Sequence, residues 1–198
     1  MEISIAQIKE LREATGAGVL ECRKTLEETQ GDMEQAVALL KEKGLARAAK
    51  KAERATQDGL VEVYGHPGNR VGVMLEVNCE SDFVASTQDF KSLVHELALH
   101  IAFSNPKHIR SEDIPVDVLE AQRTVFYAEA AAAGKPANVL DRIVQVNLDK
   151  YLDEVCLLRQ PFVKDDKVKV GDLVTNAIAK LGENIVVRRF VRYELGEE

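Results

Sequence analysis

The residues whose types and spacing best suit chemistry lie in NCESDFVAST, Asn78 to Thr87. A run of strand-like alternation ends there in two acids, Glu80 and Asp82, and Phe83 follows at once. Two readings fit the residues alone. Asp82 could bond backbone N–H groups where a strand hands over to a helix, with Phe83 filling the core. Alternatively, acid and ring together form a projecting contact, with Glu80 in support.

Other candidate sites are weaker. HELALH (95–100) resembles a zinc-protease motif with one residue too many. Positions i and i+5 lie about 140° apart around a helix, so His95 and His100 cannot share a metal as i, i+4 ligands do. Both are expected to be surface or half-buried helix residues. TGAG (15–18) follows a helix and lacks the rest of a dinucleotide fingerprint, so it reads as a tight turn. Asp165 and Asp166 in KDDK read as a solvated turn, and no Ser/His/Asp or Cys/His set stands out. Cys22, Cys79 and Cys156 are widely separated, which suits three free thiols in a reducing cytoplasm. No enzyme is expected.

The elements that must position these residues start with three short helices. Ser4 and Gln7 form a capping box, flanked by Ile3 and Ile8 as a hydrophobic staple, and Gly16 ends the helix. Val19, Cys22 and Leu26 mark the stripe of a second helix. Asp32, with Gln35, caps a third, whose stripe is Met33, Ala36, Val37 and Leu40, and Gly44 is its expected stop. Such a bundle, residues 1–44, suits a docking module. Residues 45–58 are rich in Ala and basic side chains and read as a helical or partly ordered linker. Lys41, Lys43, Arg47, Lys50, Lys51 and Arg54 are there either a solvated face or a contact for an acidic partner or RNA.

From Gly59 the period changes to two. Residues 60–65 and 70–79 read as a hairpin, with Val71, Val73, Leu75, Val77 and Cys79 on one face. A helix follows, capped by Ser86 and Asp89, with Phe90, Leu93, Val94, Leu97 and Ile101 inward; Asn105-Pro106 ends it. Helices are expected over 116–133, 136–146, 147–158 and 171–181, then a last strand over 183–195. The fold class is α+β: residues 59–198 form a core of about three antiparallel strands packed with helices.

The chain has 198 residues and a formal net charge of −7, which disfavours a general nucleic-acid binder. Without tryptophan and with few aromatics, it has little to stack on single strands. The apolar runs are too short to span a membrane, and the N-terminus lacks the pattern of a signal peptide.

LREATGAGVLECRKTL (11–26), GDMEQAVALLKEKGLARAAKKA (31–52), LEVNCESDFVA (75–85), LALHIAFSNP (97–106), GKP (134–136), QPFVKDD (160–166) and RRFVRYELG (188–196) together resemble the translation elongation factor Ts family. The likeness runs the length of the chain. Family members commonly have ETDFVA; Ser81 here keeps the hydroxyl and loses a methyl.

The resemblance implies a guanine-nucleotide exchange factor for elongation factor Tu, a GTPase, acting in the cytoplasm without a cofactor and without binding nucleotide itself. It implies that the three-helix unit is similar to a ubiquitin-associated fold and docks on the GTPase through positions matching Arg12, Val19 and Leu20, with help from Arg23 and Lys51. Many members carry two methionines where this chain has Val19-Leu20, a less adaptable apolar pair. It implies that the run Cys79, Glu80, Ser81, Asp82, Phe83 and Val84 disturbs the partner's Mg²⁺ and phosphate site. Longer members carry a second core half and a coiled-coil insertion; this chain resembles the short form, whose dimers give complexes with two copies of each protein. The competing expectations are an RNA- or ribosome-binding protein that uses the basic stretch, and an adaptor without effect on nucleotide.

Overall fold

In the computed structural model, which describes residues 3–197, helix α1 (Ile5–Thr15) starts at the expected capping box. Gln7 N–H donates to Ser4 Oγ at 3.2 Å, and Ser4 N–H donates to Gln7 Oε1 at 3.0 Å. Gly16 closes the helix at φ 68°, a left-handed conformation that costs glycine little. Helix α2 (Val19–Glu28) follows, and α3 (Met33–Lys51) starts on Asp32, which accepts from Gln35 N–H at 3.0 Å. Leu11, Cys22, Leu26, Ala36 and Leu40 form the bundle core, with Ile3, Ile8, Met33 and Val37 packed against it.

Two expectations fail here. Val19 is not part of the bundle core; it is exposed, and the inward residues of α2 are Cys22, Thr25 and Leu26. Nor does α3 stop at Gly44. That glycine is buried inside the helix, with room for a Cβ 3.8 Å from that of Ala179. The alanines beyond it have the highest helix propensity and carry α3 on to Lys51. Opposite charges hold α3 to its neighbours: Lys43 Nζ lies 2.6 Å from Glu28, Arg47 pairs with Glu21, and Lys41 Nζ lies 2.8 Å from Asp172.

Strands β1 (Asp58–Gly65) and β2 (Val71–Cys79) form the expected hairpin, and the last strand, β5 (Val186–Glu194), pairs antiparallel with β2. The sheet order is β1-β2-β5, so β5 is an edge. Gly59 crosses β2 so closely that a Cβ would sit 2.2 Å from the Val77 carbonyl oxygen. Val73, Leu75, Val77 and Cys79 point inward and are buried; Val61, Val63, Met74, Val191 and Tyr193 point outward and are exposed. Between β2 and the sheet's cover lies a short helix, α4 (Asp82–Ser86), followed by α5 (Gln88–Ser104). Thr87, not Ser86, opens α5: its Oγ1 accepts from Phe90 N–H at 3.2 Å. Phe90, Val94 and Leu97 of α5 are buried, and His95 reaches Glu62 of β1 at 3.0 Å.

The chain forms two compact units. One joins the chain up to Ala98 with the stretch from Asp172 onward; the other is Leu99–Gly171. The second unit holds α6 (Val116–Ala132) and α7 (Ala137–Val155), packed together around a turn at Gly134. The breaks expected at 146–147 do not occur: α7 is one helix, since nothing between Val146 and Asn147 interrupts the ladder. A small hairpin follows, β3 (Pro161–Phe162) and β4 (Asp165–Lys169), so Asp165 and Asp166 begin a strand and the turn is Val163-Lys164. Helix α8 (Val170–Leu181) leads back to β5.

His100 corrects another expectation. It is fully buried, with Nε2 2.8 Å from Gln160 Oε1 and Nδ1 accepting from Val163 N–H at 3.2 Å. Burial holds its pKa below the ordinary histidine value. The three cysteines are free and buried, and burial pushes each thiol pKa up, away from reactivity.

Candidate functional site

Strand β2 ends at Cys79, buried beneath the sheet's rim, with its Sγ 3.2 Å from the Ser81 carbonyl. Ser81 then caps α4: its backbone is extended and its Oγ accepts from Val84 N–H at 3.4 Å. The capping role open to Asp82 is therefore taken by Ser81, and the Asp82 side chain is exposed. Phe83 is 81% exposed, so it fills no core. Ala85 on the inner side of α4 is buried and Val84 is half-buried. Acid and ring thus project together from a single turn of helix whose opposite side is anchored.

The anchor comes from the turn before β5. The Glu183 carboxylate accepts from the N–H groups of Glu80 and Ser81, each at 3.0 Å, and from Ser81 Oγ at 2.5 Å. Glu80 answers it: its Oε1 accepts from Asn184 N–H at 2.6 Å and lies 3.5 Å from Arg54. Asn184 is buried, and its amide donates to the carbonyls of Ala52 and Arg54 at 3.3 and 3.0 Å. The end of β2, the start of β5 and the segment after α3 are therefore tied at one point. Each carboxylate here meets N–H donors, the arrangement that makes hydrogen bonds to charged groups strong.

The bundle presents a second group. Arg12 is exposed in the last turn of α1. Val19 and Leu20 open α2, 51% and 75% exposed, and Arg23 one turn later pairs with Glu27 at 2.9 Å. These four share one end of the bundle around the turn 16–18. Lys51 is half-buried in the last turn of α3, one turn beyond Arg47, which pairs with Glu21 beside Leu20. The remaining basic residues of the stretch are largely committed to acids of the same unit, namely Lys41, Lys43, Arg47 and Arg54.

Residues 2–197 match the family model for elongation factor TS. The chain belongs to the elongation factor Ts family. It is 54% identical over 196 residues to elongation factor Ts of Herpetosiphon aurantiacus, covering 99% of both chains. It is 52% identical over 195 residues to elongation factor Ts of Carboxydothermus hydrogenoformans, covering 98% of this chain and 90% of that one. As a member of the elongation factor Ts family it is a translation factor. Among the described residues no helix is long and apolar enough to cross a membrane, and no group of three or more His, Cys, Asp and Glu side chains is placed to hold a metal ion.

Sequence reasoning singled out Glu80, Asp82 and Phe83 but not the residues that hold them. Glu183 and Asn184 lie about a hundred positions from the residues they hold. The only local signal is Gly182, at φ 80°, which turns the chain just before them.

Proposed function

We propose that this protein binds elongation factor Tu in its GDP form and speeds GDP release. The observation that carries the reading is Phe83, 81% exposed beside the Asp82 carboxylate on an anchored helical turn. Bound GDP is held by backbone N–H groups, a lysine and Mg²⁺. A protein weakens that hold only by binding better to the state in which it is loosened. The Phe83 ring wedges between packed elements of the GTPase, and the Asp82 carboxylate captures donors that the phosphates and Mg²⁺ shell otherwise use. Cys79, Glu80, Ser81 and Val84 form the turn that presents the pair.

Magnitudes require a second contact. Burying one phenylalanine side chain contributes about 1.5–3 kcal/mol, whereas weakening a nucleotide a thousandfold takes roughly 4 kcal/mol of coupling. The exposed group Arg12, Val19, Leu20 and Arg23 supplies a docking face, and Lys51 adds charge further along α3. Coupling is reciprocal, so GDP weakens this protein's binding by the same factor, and rebinding of GTP drives the two apart. No bond is made or broken, so the activity is exchange and not catalysis by an enzyme. The site of action is the cytoplasm, where elongation takes place.

The protein also pairs with itself, giving a complex of two copies of each partner. The outer sheet face supports this: Val63, Met74 and Val191 form one apolar row, and the next row sets Val61 beside Glu76 and Arg189. Glu76 and Arg189 lie 2.6 Å apart, and a face with both signs of charge and an apolar row can meet its own copy across a two-fold axis.

The direct test is release of labelled GDP from elongation factor Tu with and without this chain. Acceleration that grows with concentration and then saturates is expected; a release rate independent of the chain would overturn the reading. The RNA-binding alternative is weakened, since four of the six cations in the basic stretch already face acids.

A further inference from the structure

We propose that Glu183 is a positioning residue for exchange: its carboxylate fixes the direction in which Phe83 and Asp82 leave the molecule. The inference rests on the exchange reading given above and adds to it a residue outside the contact itself. Three donors converge on this one side chain, the N–H groups of Glu80 and Ser81 and the Ser81 hydroxyl. All three belong to the two residues directly before α4.

A helix of five residues has little stiffness of its own. Its direction is set by what holds its first turn and its buried side. Ala85 is the one buried side chain of α4, with Val84 half-buried beside it, and so small an apolar contact offers limited resistance to rotation. Orientation therefore depends on the polar end, and there Glu183 supplies every acceptor from outside the turn. The Glu80 carboxylate points away from the tip, to Asn184 N–H at 2.6 Å, so it locks the same joint from the opposite side. Asn184 carries the joint to the chain segment that follows α3 through the carbonyls of Ala52 and Arg54.

This arrangement separates aim from affinity. The docking residues Arg12, Val19, Leu20 and Arg23 lie on α1 and α2, whereas the hydrogen bonds of the Glu183 carboxylate go to Glu80 and Ser81. Loss of the Glu183 carboxylate leaves that face intact and lets α4 wander. A wedge held off its line acts less often on a partner that is still fully bound.

The experiment is GDP release from elongation factor Tu, measured against chain concentration for the wild-type protein, Glu183→Ala, Glu183→Asp and Glu183→Gln, each first confirmed folded by circular dichroism at the assay temperature. For Glu183→Ala the saturating rate is expected to fall about tenfold, in keeping with the cost of misplacing a reacting group, while the half-saturating concentration hardly moves. Glu183→Gln keeps an oxygen for the two N–H groups and should recover most of the rate. Glu183→Asp cannot reach both residues, and should lose rate in the same direction even if the alanine variant does not fold. A saturating rate equal to wild type in Glu183→Ala, or in Glu183→Asp where alanine is unfolded, overturns the inference and leaves the exchange reading standing. A change confined to thermal stability does the same. If the wild-type chain itself fails to speed release, the exchange reading falls and this inference falls with it.

Discussion

Glu80 and Glu183 are linked crosswise: the Glu183 carboxylate takes the Glu80 N–H at 3.0 Å, while the Glu80 carboxylate takes the N–H of the residue after Glu183 at 2.6 Å. Two acids brought together would ordinarily repel. Here each faces amide donors, and Arg54 lies 3.5 Å from Glu80. The result is a rigid joint beneath an exposed ring, the geometry a wedge needs.

Removing the ring should separate exchange from folding. Phe83→Ala deletes a side chain that is 81% exposed, so its thermal midpoint should match wild type. The saturating rate of GDP release should drop by about ten- to a hundredfold, the equivalent of one buried phenylalanine. Stopped-flow release of labelled GDP reads this directly, and an undiminished rate would remove the wedge from the mechanism.

Arg12 should behave in the opposite way. Its side chain is exposed in the last turn of α1. Arg12→Ala should raise the half-saturating concentration about tenfold, the loss of a charge-assisted contact, with the limiting rate preserved. If only the limiting rate falls, Arg12 is not a docking residue.

Self-pairing through the outer sheet face is open to a single charge. Met74 lies at the centre of the row Val63, Met74, Val191 and is half exposed. Met74→Glu should leave the fold intact and convert the assembly to monomer, since an unpaired carboxylate would be buried at the contact. Light scattering across a concentration series distinguishes the two, and a wild-type protein that stays monomeric throughout would count against the pairing.

Acid should weaken the second unit through His100. Its folded pKa lies below the unfolded value because burial disfavours the imidazolium, and Nδ1 already accepts from Val163 N–H. Between the two pKa values the unfolded chain holds a proton that the folded chain does not, so stability rises with pH there. The contribution is complete above about pH 6.5 and is lost as the pH falls toward the folded value. Urea unfolding at neutral and mildly acidic pH should show a smaller acid penalty for His100→Leu than for wild type; equal penalties would clear His100 of the effect.

Where the chain speaks through short-range patterns, the sequence was a reliable guide. The Ser4–Gln7 box, the Asp32 cap and the inward row from Val73 to Cys79 each depend on neighbours a few positions apart. It failed where distant residues decide. Gly44 reads as a stop until its surroundings are known, and His100 reads as a surface residue until Gln160 and Val163 close over it. Phe83 was ambiguous because an exposed ring and a core ring look alike in one dimension. Its exposure and the support from Glu183 and Asn184 emerge only when the turn before β5 is brought beside β2.

The passage of α3 through Gly44 turns a stretch that looks like filler into a ruler. Each residue of a helix advances about 1.5 Å and rotates about 100°. One residue added between Leu45 and Lys51 would therefore turn every later residue of α3 by about 100°, taking Arg47 away from Glu21 or Ala52 and Arg54 away from Asn184. A slack tether would absorb such a change in length, whereas a continuous helix carries it into the orientation of whatever lies beyond.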